Sequence, residues 1–456
     1  MKIVIAGCGK IGTTITANLT QEGHDVTVID SSPDVINKMS DRYDVMCVPG
    51  SATDNETLLT ADPKSAELFL ATTDSDETNM LSCFIAKKLG CPNVIARIRN
   101  PEYNADNFGF LRQNLGLTSS INPELLVATE IVNILKFPTA IKVENFSRRN
   151  LEMLEISLSP DSELDGMKLI KMREKFKANY LVCVVRRGDD VFIPDGNFVL
   201  KSGDVLCVTA SPEEIQKLLK MLGMLRKMAK NVIIIGGSKI SYYLARRCLK
   251  AGISVKIVEI DKKRCDELSV MLPGAKIICG NGAEQELLIE EGIDSADAFV
   301  MLTGQDEENI LLSLFASMRK VPKVIAKVNL EGMASLARKL GVECIVSTKE
   351  ITSNVIVGYV RALENSHGSN VETLYKIMDG KAEALEFIIK NNTDIINRPL
   401  KALKFKDNIL IGGIMRGKKT LIPSGDDVIL PGDRVIIVAS GQRMNDISDI
   451  LRPAEG

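Results

Sequence analysis

The sequence predicts a duplicated α/β protein: two tandem doubly wound, Rossmann-type domains, each followed by a small α+β domain. An internal repeat, a glycine loop between strand and helix, and one change of texture within each half carry that prediction. KIVIAGCGKIGTTITANL from Lys2 matches NVIIIGGSKISYYLARRC from Asn231, an offset of 229. VTVID ending at Asp30 meets VKIVE ending at Glu259 at the same offset. DSDETN ending at Asn79 pairs with GQDEEN ending at Asn309, and VIARI from Val94 with VIAKV from Val324, both at 230. KSGDVLCVTAS from Lys201 then matches LPGDRVIIVAS from Leu430, again at 229. So steady an offset means an internal duplication.

Within each half, the first part alternates short β-branched runs with amphipathic segments. KIVIAG, DVTVID, VMCVPG, LFLATT and VIARI read as strands, separated by helical patterns. Near-continuous apolar strands alternating with helices argue a parallel sheet covered on both faces. INPELLVATEIVNILK, within Ser119 to Lys136, has apolar residues at helical spacing and more of them than a solvated linker requires. Its apolar faces predict burial against a second chain, and hence a homo-oligomer. LEMLEISL, YLVCVV, VFIP and DVLCVTA follow with tight Gly/Asp turns, the pattern of a small antiparallel domain. Met221, Met224 and Met228 fall near helical spacing and read as seam packing. The expected boundaries are 1–118 for the first Rossmann domain, 119–145 for a crossover helix, 146–222 for the first α+β domain and 223–230 for a linker. The second copy gives 231–346, 347–370 and 371–456.

Composition limits the chemistry. The 456 residues are too many for one compact domain, and 45% hydrophobic with 25% charged is ordinary for a globular chain. Lys and Arg number 57 against 59 Asp and Glu, so no basic excess suggests nucleic acid as a partner. Only His24 and His367 are available, which argues against a multi-histidine metal site and against histidine acid–base chemistry; no metal ligands are expected. The ten cysteines include no C-x-x-C pair, and most lie in apolar runs where a free thiol is a small core residue. The N-terminus has too short an apolar stretch for a signal peptide, and no run approaches the ~18 residues of a spanning helix. A cytoplasmic protein is expected, able to dock on a membrane partner.

Gly7-Cys8-Gly9-Lys10-Ile11-Gly12 follows a strand and opens a helix, and Asp30 lies 18 residues beyond Gly12 at the end of a second strand. That is the dinucleotide fingerprint: Gly7 for the turn, Gly9 for approach of a diphosphate, Gly12 for helix–strand packing. The helix amino terminus offers unpaired N–H groups to phosphate, and Asp30 accepts ribose hydroxyls. An acidic residue there disfavours a 2′-phosphate, so an NAD-like ligand or an adenine nucleotide is expected, with NAD and ATP both open. Lys10 and Arg97, both expected at the carboxyl edge of the sheet, could meet a terminal phosphate; the competing reading of Arg97 is a salt bridge. Thr73 and Thr303 could donate hydroxyls to a ligand, or cap strand ends.

The second loop, Gly236-Gly237-Ser238-Lys239-Ile240-Ser241, has serine where the second and third glycines belong. Ser238 carries a Cβ toward the phosphate and Ser241 is expected to crowd the helix–strand contact. Glu259 keeps the ribose acceptor, so nucleotide binding in this half stays open. The missing acid–base residues speak against the alternative reading, an NAD-dependent oxidoreductase.

The KIVIAGCGKIG and VTVID motifs, TDSDETNM at Thr73–Met80, ARIR at Ala96–Arg99 and the duplicated SGD/PGD strands resemble the TrkA family over essentially the whole length. That family comprises cytoplasmic regulatory subunits of Trk-type potassium transporters, with duplicated RCK (or KTN) N and C domains. The resemblance implies a non-enzymatic nucleotide sensor that binds NAD or NADH, with ATP and ADP as alternative ligands at the same site. It implies a homotetramer forming a gating ring of eight N domains, peripheral on the inner face of the membrane beneath a TrkH-type subunit. Carried over by position, the binding residues are Gly7, Cys8, Gly9, Lys10, Ile11, Gly12, Asp30, Ser31, Ser51 near the adenine, Thr73 and Arg97. In the second half they are Gly236, Ser238, Lys239, Ile240, Glu259, Asn281, Thr303 and Lys327. Glu124, in INPE, stands where relatives often carry an acidic residue of unassigned role.

Overall fold

A computed structural model describes residues 1–104, 108–146, 150–225, 228–365, 371–390, 395–442, 444 and 446–452. The first lobe runs β1 (Lys2–Ala6), α1 (Lys10–Gln21), β2 (Asp25–Asp30), α2 (Pro33–Arg42), β3 (Met46–Pro49) and α3 (Asn55–Ala61). It continues with β4 (Leu68–Ala71), α4 (Asp76–Lys88), β5 (Val94–Arg97), α5 (Phe108–Leu115), β6 (Ser119–Ile121) and α6 (Pro123–Lys136). The strands are parallel in the order β3-β2-β1-β4-β5-β6. β1 and β4 are buried on both faces, which is why their sequences are apolar without alternation. Strand order reverses between β1 and β4, and the crevice at such a switch point is where ligands bind in doubly wound sheets.

After α6 come β7 (Ala140–Phe146), β8 (Leu151–Ser157), α7 (Leu169–Lys175), β9 (Tyr180–Arg187), β10 (Asp190–Phe192), β11 (Val205–Ala210) and α8 (Pro212–Met221). They form an antiparallel sheet ordered β10-β9-β11-β8-β7. The second lobe repeats the first: β12 (Asn231–Ile235), α9 (Lys239–Lys250), β13 (Ser254–Glu259), α10 (Lys262–Met271), β14 (Lys276–Cys279) and α11 (Gln285–Glu290). It then runs through β15 (Ala298–Met301), α12 (Asp306–Met318), β16 (Lys323–Lys327), α13 (Glu331–Lys339), β17 (Cys344–Val346) and α14 (Thr348–Asn365), with sheet order β14-β13-β12-β15-β16-β17. The last module holds β18 (Val371–Ile377), β19 (Ala382–Ile388), β20 (Ile409–Arg416), β21 (Lys419–Leu421) and β22 (Arg434–Ser440).

These segments make two compact units, residues 1–132 with 230–357, and 133–229 with 358–456. In the first, the two Rossmann lobes are tied by Tyr243, whose hydroxyl donates to the Arg99 carbonyl at 2.8 Å and accepts from Asn122 Nδ2 at 3.0 Å. In the second, the antiparallel modules share one core that includes Phe146, Leu151, Cys183, Ile377, Met415 and Ile436. The duplicated SGD/PGD strings have a structural reason. Asp204 takes a bidentate pair from Arg187 at 2.7 and 2.8 Å and caps Lys201 N at 2.8 Å. Asp433 does the same for Arg416 at 2.9 and 2.7 Å and for Leu430 N at 2.8 Å.

Two expectations are corrected. The first crossover helix is shorter than 119–145, because β6 precedes α6 and β7 already begins at Ala140; the second, α14, is described to Asn365, and 366–370 lie outside the described residues. Much of the apolar stripe of α6 is covered within this chain: Val127, Ile131 and Leu135 are fully buried, whereas Leu125 and Leu126 are half-buried.

Candidate functional site

The site begins with three glycines that face different surroundings. Gly7 has φ +92°, and a Cβ there would stand 2.6 Å from Thr73 N. A Cβ on Gly12 would strike the Gly7 carbonyl oxygen. A Cβ on Gly9 would meet nothing within 4 Å. Gly7 is therefore required by the chain that follows β4 and Gly12 by the loop's own Gly7 carbonyl, whereas the protein leaves open space at Gly9. No side chain caps α1, whose first internal bond is Thr13 N to Gly9 O at 2.9 Å. Its leading amides and the positive end of its dipole face a ligand-sized space. Asp30 holds the loop in place, accepting from Cys8 N at 2.7 Å and Ser32 N at 2.9 Å.

The TDSDETN and ARIR strings build the opposite wall. Asn79, fully buried, takes the Thr73 amide at 2.8 Å and the Thr73 hydroxyl at 2.7 Å, and donates to the Arg97 carbonyl at 2.9 Å. Buried Asp76 accepts from Arg99 N and Asn100 N at 2.8 and 2.7 Å. One asparagine and one aspartate thus staple the ends of β4 and β5 together and set Arg97 and Arg99 at the edge. The Thr73 hydroxyl spends its proton on Asn79, the strand-end role, and Thr303 does the same with Asn309 at 2.8 Å.

These parts enclose a cleft of about 880 Å³. Gly7, Gly9, Lys10, Ile11, Asp30, Ser31, Ser51, Thr73 and Arg97 line it, and the second lobe contributes Ser238, Lys239, Ile240 and Lys327. Sequence reasoning did not single out Arg99, Asn329 or Lys349, which line it too. Cys8, Gly12, Gly236, Glu259, Asn281 and Thr303 are not among the lining residues. Lys10, Arg97, Arg99, Lys239, Lys327 and Lys349 oppose Asp30, Asp74 and Glu124, so the lining is six cations against three carboxylates. The internal offset could have found part of this, since Lys327 is the counterpart of Arg97.

Arg97 Nη2 lies 3.6 Å from Glu124 Oε1, both side chains being nearly buried. Arg97 Nε, Arg99 Nε and Glu124 Oε2 are buried without a hydrogen-bond partner among the described residues. Burial lowers the Arg97 pKa, opposed mainly by Glu124. Burial also lowers that of Lys327; Asp306 and Glu124 oppose the shift and Lys10 adds to it. Nearly buried cations with open donors are suited to a phosphate, which provides several strong acceptors at once.

The second loop is closed by its own side chains. Ser238 caps α9, accepting from Ser241 N at 3.3 Å. The expected crowding by Ser241 is relieved, because its hydroxyl donates to the Gly236 carbonyl. Glu259 takes the Gly237 and Asp261 amides, and Arg264 Nε donates to the Gly237 carbonyl at 2.7 Å. His24 is buried with Nδ1 3.5 Å from the N-terminal amine and does not line the cleft; His367 lies outside the described residues.

Fold and cleft define a duplicated protein in which Rossmann lobes with a dinucleotide-type phosphate loop alternate with small antiparallel modules. A family model described as the TrkA-N domain matches residues 3–123 and 232–348, and one described as the TrkA-C domain matches 153–223 and 384–452. The chain belongs to the TrkA family. The Trk system potassium uptake protein TrkA homolog of Archaeoglobus fulgidus is 32% identical over 452 residues, covering 99% of this chain and 100% of that one. The Trk system potassium uptake protein TrkA of Haemophilus influenzae is 29% identical over 464 residues, covering 100% and 99%. Among solved structures, the GsuK channel matches with TM-score 0.65 at 18% identity, covering 96% of this chain and 77% of that one. The GsuK channel bound to NAD matches with TM-score 0.63 at 16% identity, with the same coverage. These two likenesses are of fold.

Proposed function

We propose that this chain is the nucleotide-sensing regulatory subunit of a Trk-type potassium uptake system. The observation that carries the reading is the cleft: an uncapped helix end, open space over Gly9, Asp30 beside it, and cations from both lobes. NAD or NADH fits it, and so do ATP and ADP at the same place. All share the adenosine end read by Asp30 and Ser51 and differ in charge beyond it. Nucleotide binds chiefly in the first lobe, because Ser238 occupies the helix end in the second. The related uptake proteins and the GsuK channel bound to NAD support this reading.

The partner is a membrane subunit of TrkH type, and four chains make a ring of eight lobes against the inner face of the membrane. No helix among the described residues is long and apolar enough to cross a membrane. Leu311 and Met318 on α12 and Leu336 and Leu340 on α13 are 66%, 80%, 49% and 52% exposed, an apolar face suited to contact between chains. A ligand that binds two ring shapes unequally shifts their balance, and with it potassium flux.

Calorimetric titration of NAD, NADH, ATP and ADP into purified protein tests the sensor. Saturable binding of at least one is expected, and absence of binding by all four overturns it. Light scattering tests the assembly: a species near the chain mass of 49.9 kDa at micromolar concentration removes the ring.

A further inference from the structure

The cysteines are scattered along the sequence, yet two of them meet in the second lobe. β13 and β14 pair so that Glu259 lies in register with Cys279. The Glu259 carbonyl oxygen accepts the Gly280 amide at 2.9 Å and the Cys265 thiol at 3.3 Å. One oxygen therefore ties the Cys265 sulfur, on α10, to the peptide that follows Cys279. α10 packs on β14, and Cys279 is among the neighbours that raise the Cys265 thiol. Their exposure differs. Of the ten free cysteines eight are buried, Cys265 among them; Cys47 is intermediate and Cys279 is exposed. The first lobe carries Ile36 and Pro49 at the equivalent positions, so the pair belongs to the second copy alone.

We propose that Cys265 and Cys279 form an oxidation site at which a hydroperoxide closes a disulfide within the second lobe. Cys279, the accessible thiol, meets the oxidant first and gives its proton to solvent as it reacts. Its sulfur attacks a peroxide oxygen; the S–O bond forms, the O–O bond breaks, and the leaving oxygen takes a proton from solvent to depart as water or alcohol. Cys279 is then a sulfenic acid. The Cys265 sulfur attacks it, the S–S bond forms and the S–O bond breaks, and hydroxide leaves with the Cys265 proton as water. Two thiols lose two electrons and one peroxide gains them. The order of events follows from the surroundings. Burial first, then the neighbouring Cys279 and the carboxylates of Glu259 and Asp266, push the Cys265 thiol up to about 12, so it stays protonated until its neighbour is activated. Closing the bridge also withdraws the thiol proton from the Glu259 carbonyl, loosening the strand end that carries this lobe's ribose-type carboxylate.

The test uses the full chain, treated with a small excess of hydrogen peroxide, alkylated and digested with trypsin. Cleavage after Arg264 and Lys276 separates the two cysteines, so a disulfide appears as peptides 265–276 and 277–319 joined and released by reductant. Alkylatable thiols should fall from ten to eight. Cys265→Ser and Cys279→Ser should each abolish the joined species, whereas Cys47→Ser should leave it. Cys279 carried to sulfinic acid while Cys265 stays alkylatable overturns the proposal, as does Cys279 joined to a second chain. The unsubstituted protein decides the matter even if a variant fails to fold.

Discussion

Arg97 and Glu124 face each other across 3.6 Å at the edge of the first lobe, an ion pair too long for a normal hydrogen bond. Both carry a buried polar atom without a partner among the described residues. The pair shows Arg97 as a salt-bridge residue held loosely at the wall of the cleft, while its contact with a phosphate belongs to the proposed function. Glu124 restrains that cation and lies near Lys327 from the second lobe.

The first prediction concerns this restraint. Glu124→Gln removes the opposing carboxylate, so the ATP dissociation constant should fall by about three- to tenfold, roughly 1 kcal/mol. Arg97→Ala should act the other way, weakening ATP more than ADP and NAD least. Calorimetry at fixed ionic strength measures both. Equal loss of all three ligands in Arg97→Ala would make it a diphosphate or fold residue.

The two lobes should respond unequally. Asp30→Ala removes ribose contacts to a charged acceptor, each worth about 1.5–3 kcal/mol, so affinity should fall roughly ten- to hundredfold. Glu259→Ala, which removes a carboxylate outside the cleft lining, should leave the stronger site within about twofold. Asp30 also anchors Cys8 N and Ser32 N, so circular dichroism must show an intact fold before affinity is compared. Binding lost in Glu259→Ala and kept in Asp30→Ala would exchange the roles of the lobes.

The glycines separate packing from ligand. Gly12→Ala drives a Cβ into the Gly7 carbonyl and should cost stability of about 1–3 kcal/mol, read as a lower thermal midpoint. Gly9→Val meets open space and extended backbone, so its midpoint should match the parent while nucleotide binding is lost. A destabilised Gly9→Val protein would remove the inference that this space belongs to a ligand.

Lys327 gives a pH dependence. Burial lowers its pKa from the ordinary lysine value near 10.4. Phosphate binding needs the ammonium, so affinity should hold at neutral pH and fall as pH rises through the lowered value, earlier than an exposed lysine would dictate. Lys327→Arg keeps a charge throughout and should flatten that alkaline limb. ATP affinity measured from pH 7 to 10 distinguishes the two proteins.

Much of this was legible without coordinates. The duplication, the parallel and antiparallel modules, the glycine loop and Asp30 are local or periodic signals, written in neighbouring residues or in a constant offset. A strand's burial on two faces shows directly as an apolar run, and a tight turn shows as glycine. The TDSDETN and ARIR strings were visible as specific motifs, although their work as a staple through Asn79 and Asp76 was not, since it depends on where two strand ends meet.

Tertiary structure alone decided the rest. Lys239, Lys327 and Lys349 enter a cleft whose glycine loop lies more than two hundred residues earlier, because the lobes pack together through Tyr243 and Asn122. Most of the apolar stripe of α6 proved to be covered inside the chain, and Cys265 is brought to the strand end that carries Cys279 by strand register and helix packing. Periodicity states which face of an element is buried but not what buries it. The partner is set by the three-dimensional meeting of surfaces far apart in sequence, and no local pattern of residues encodes that meeting.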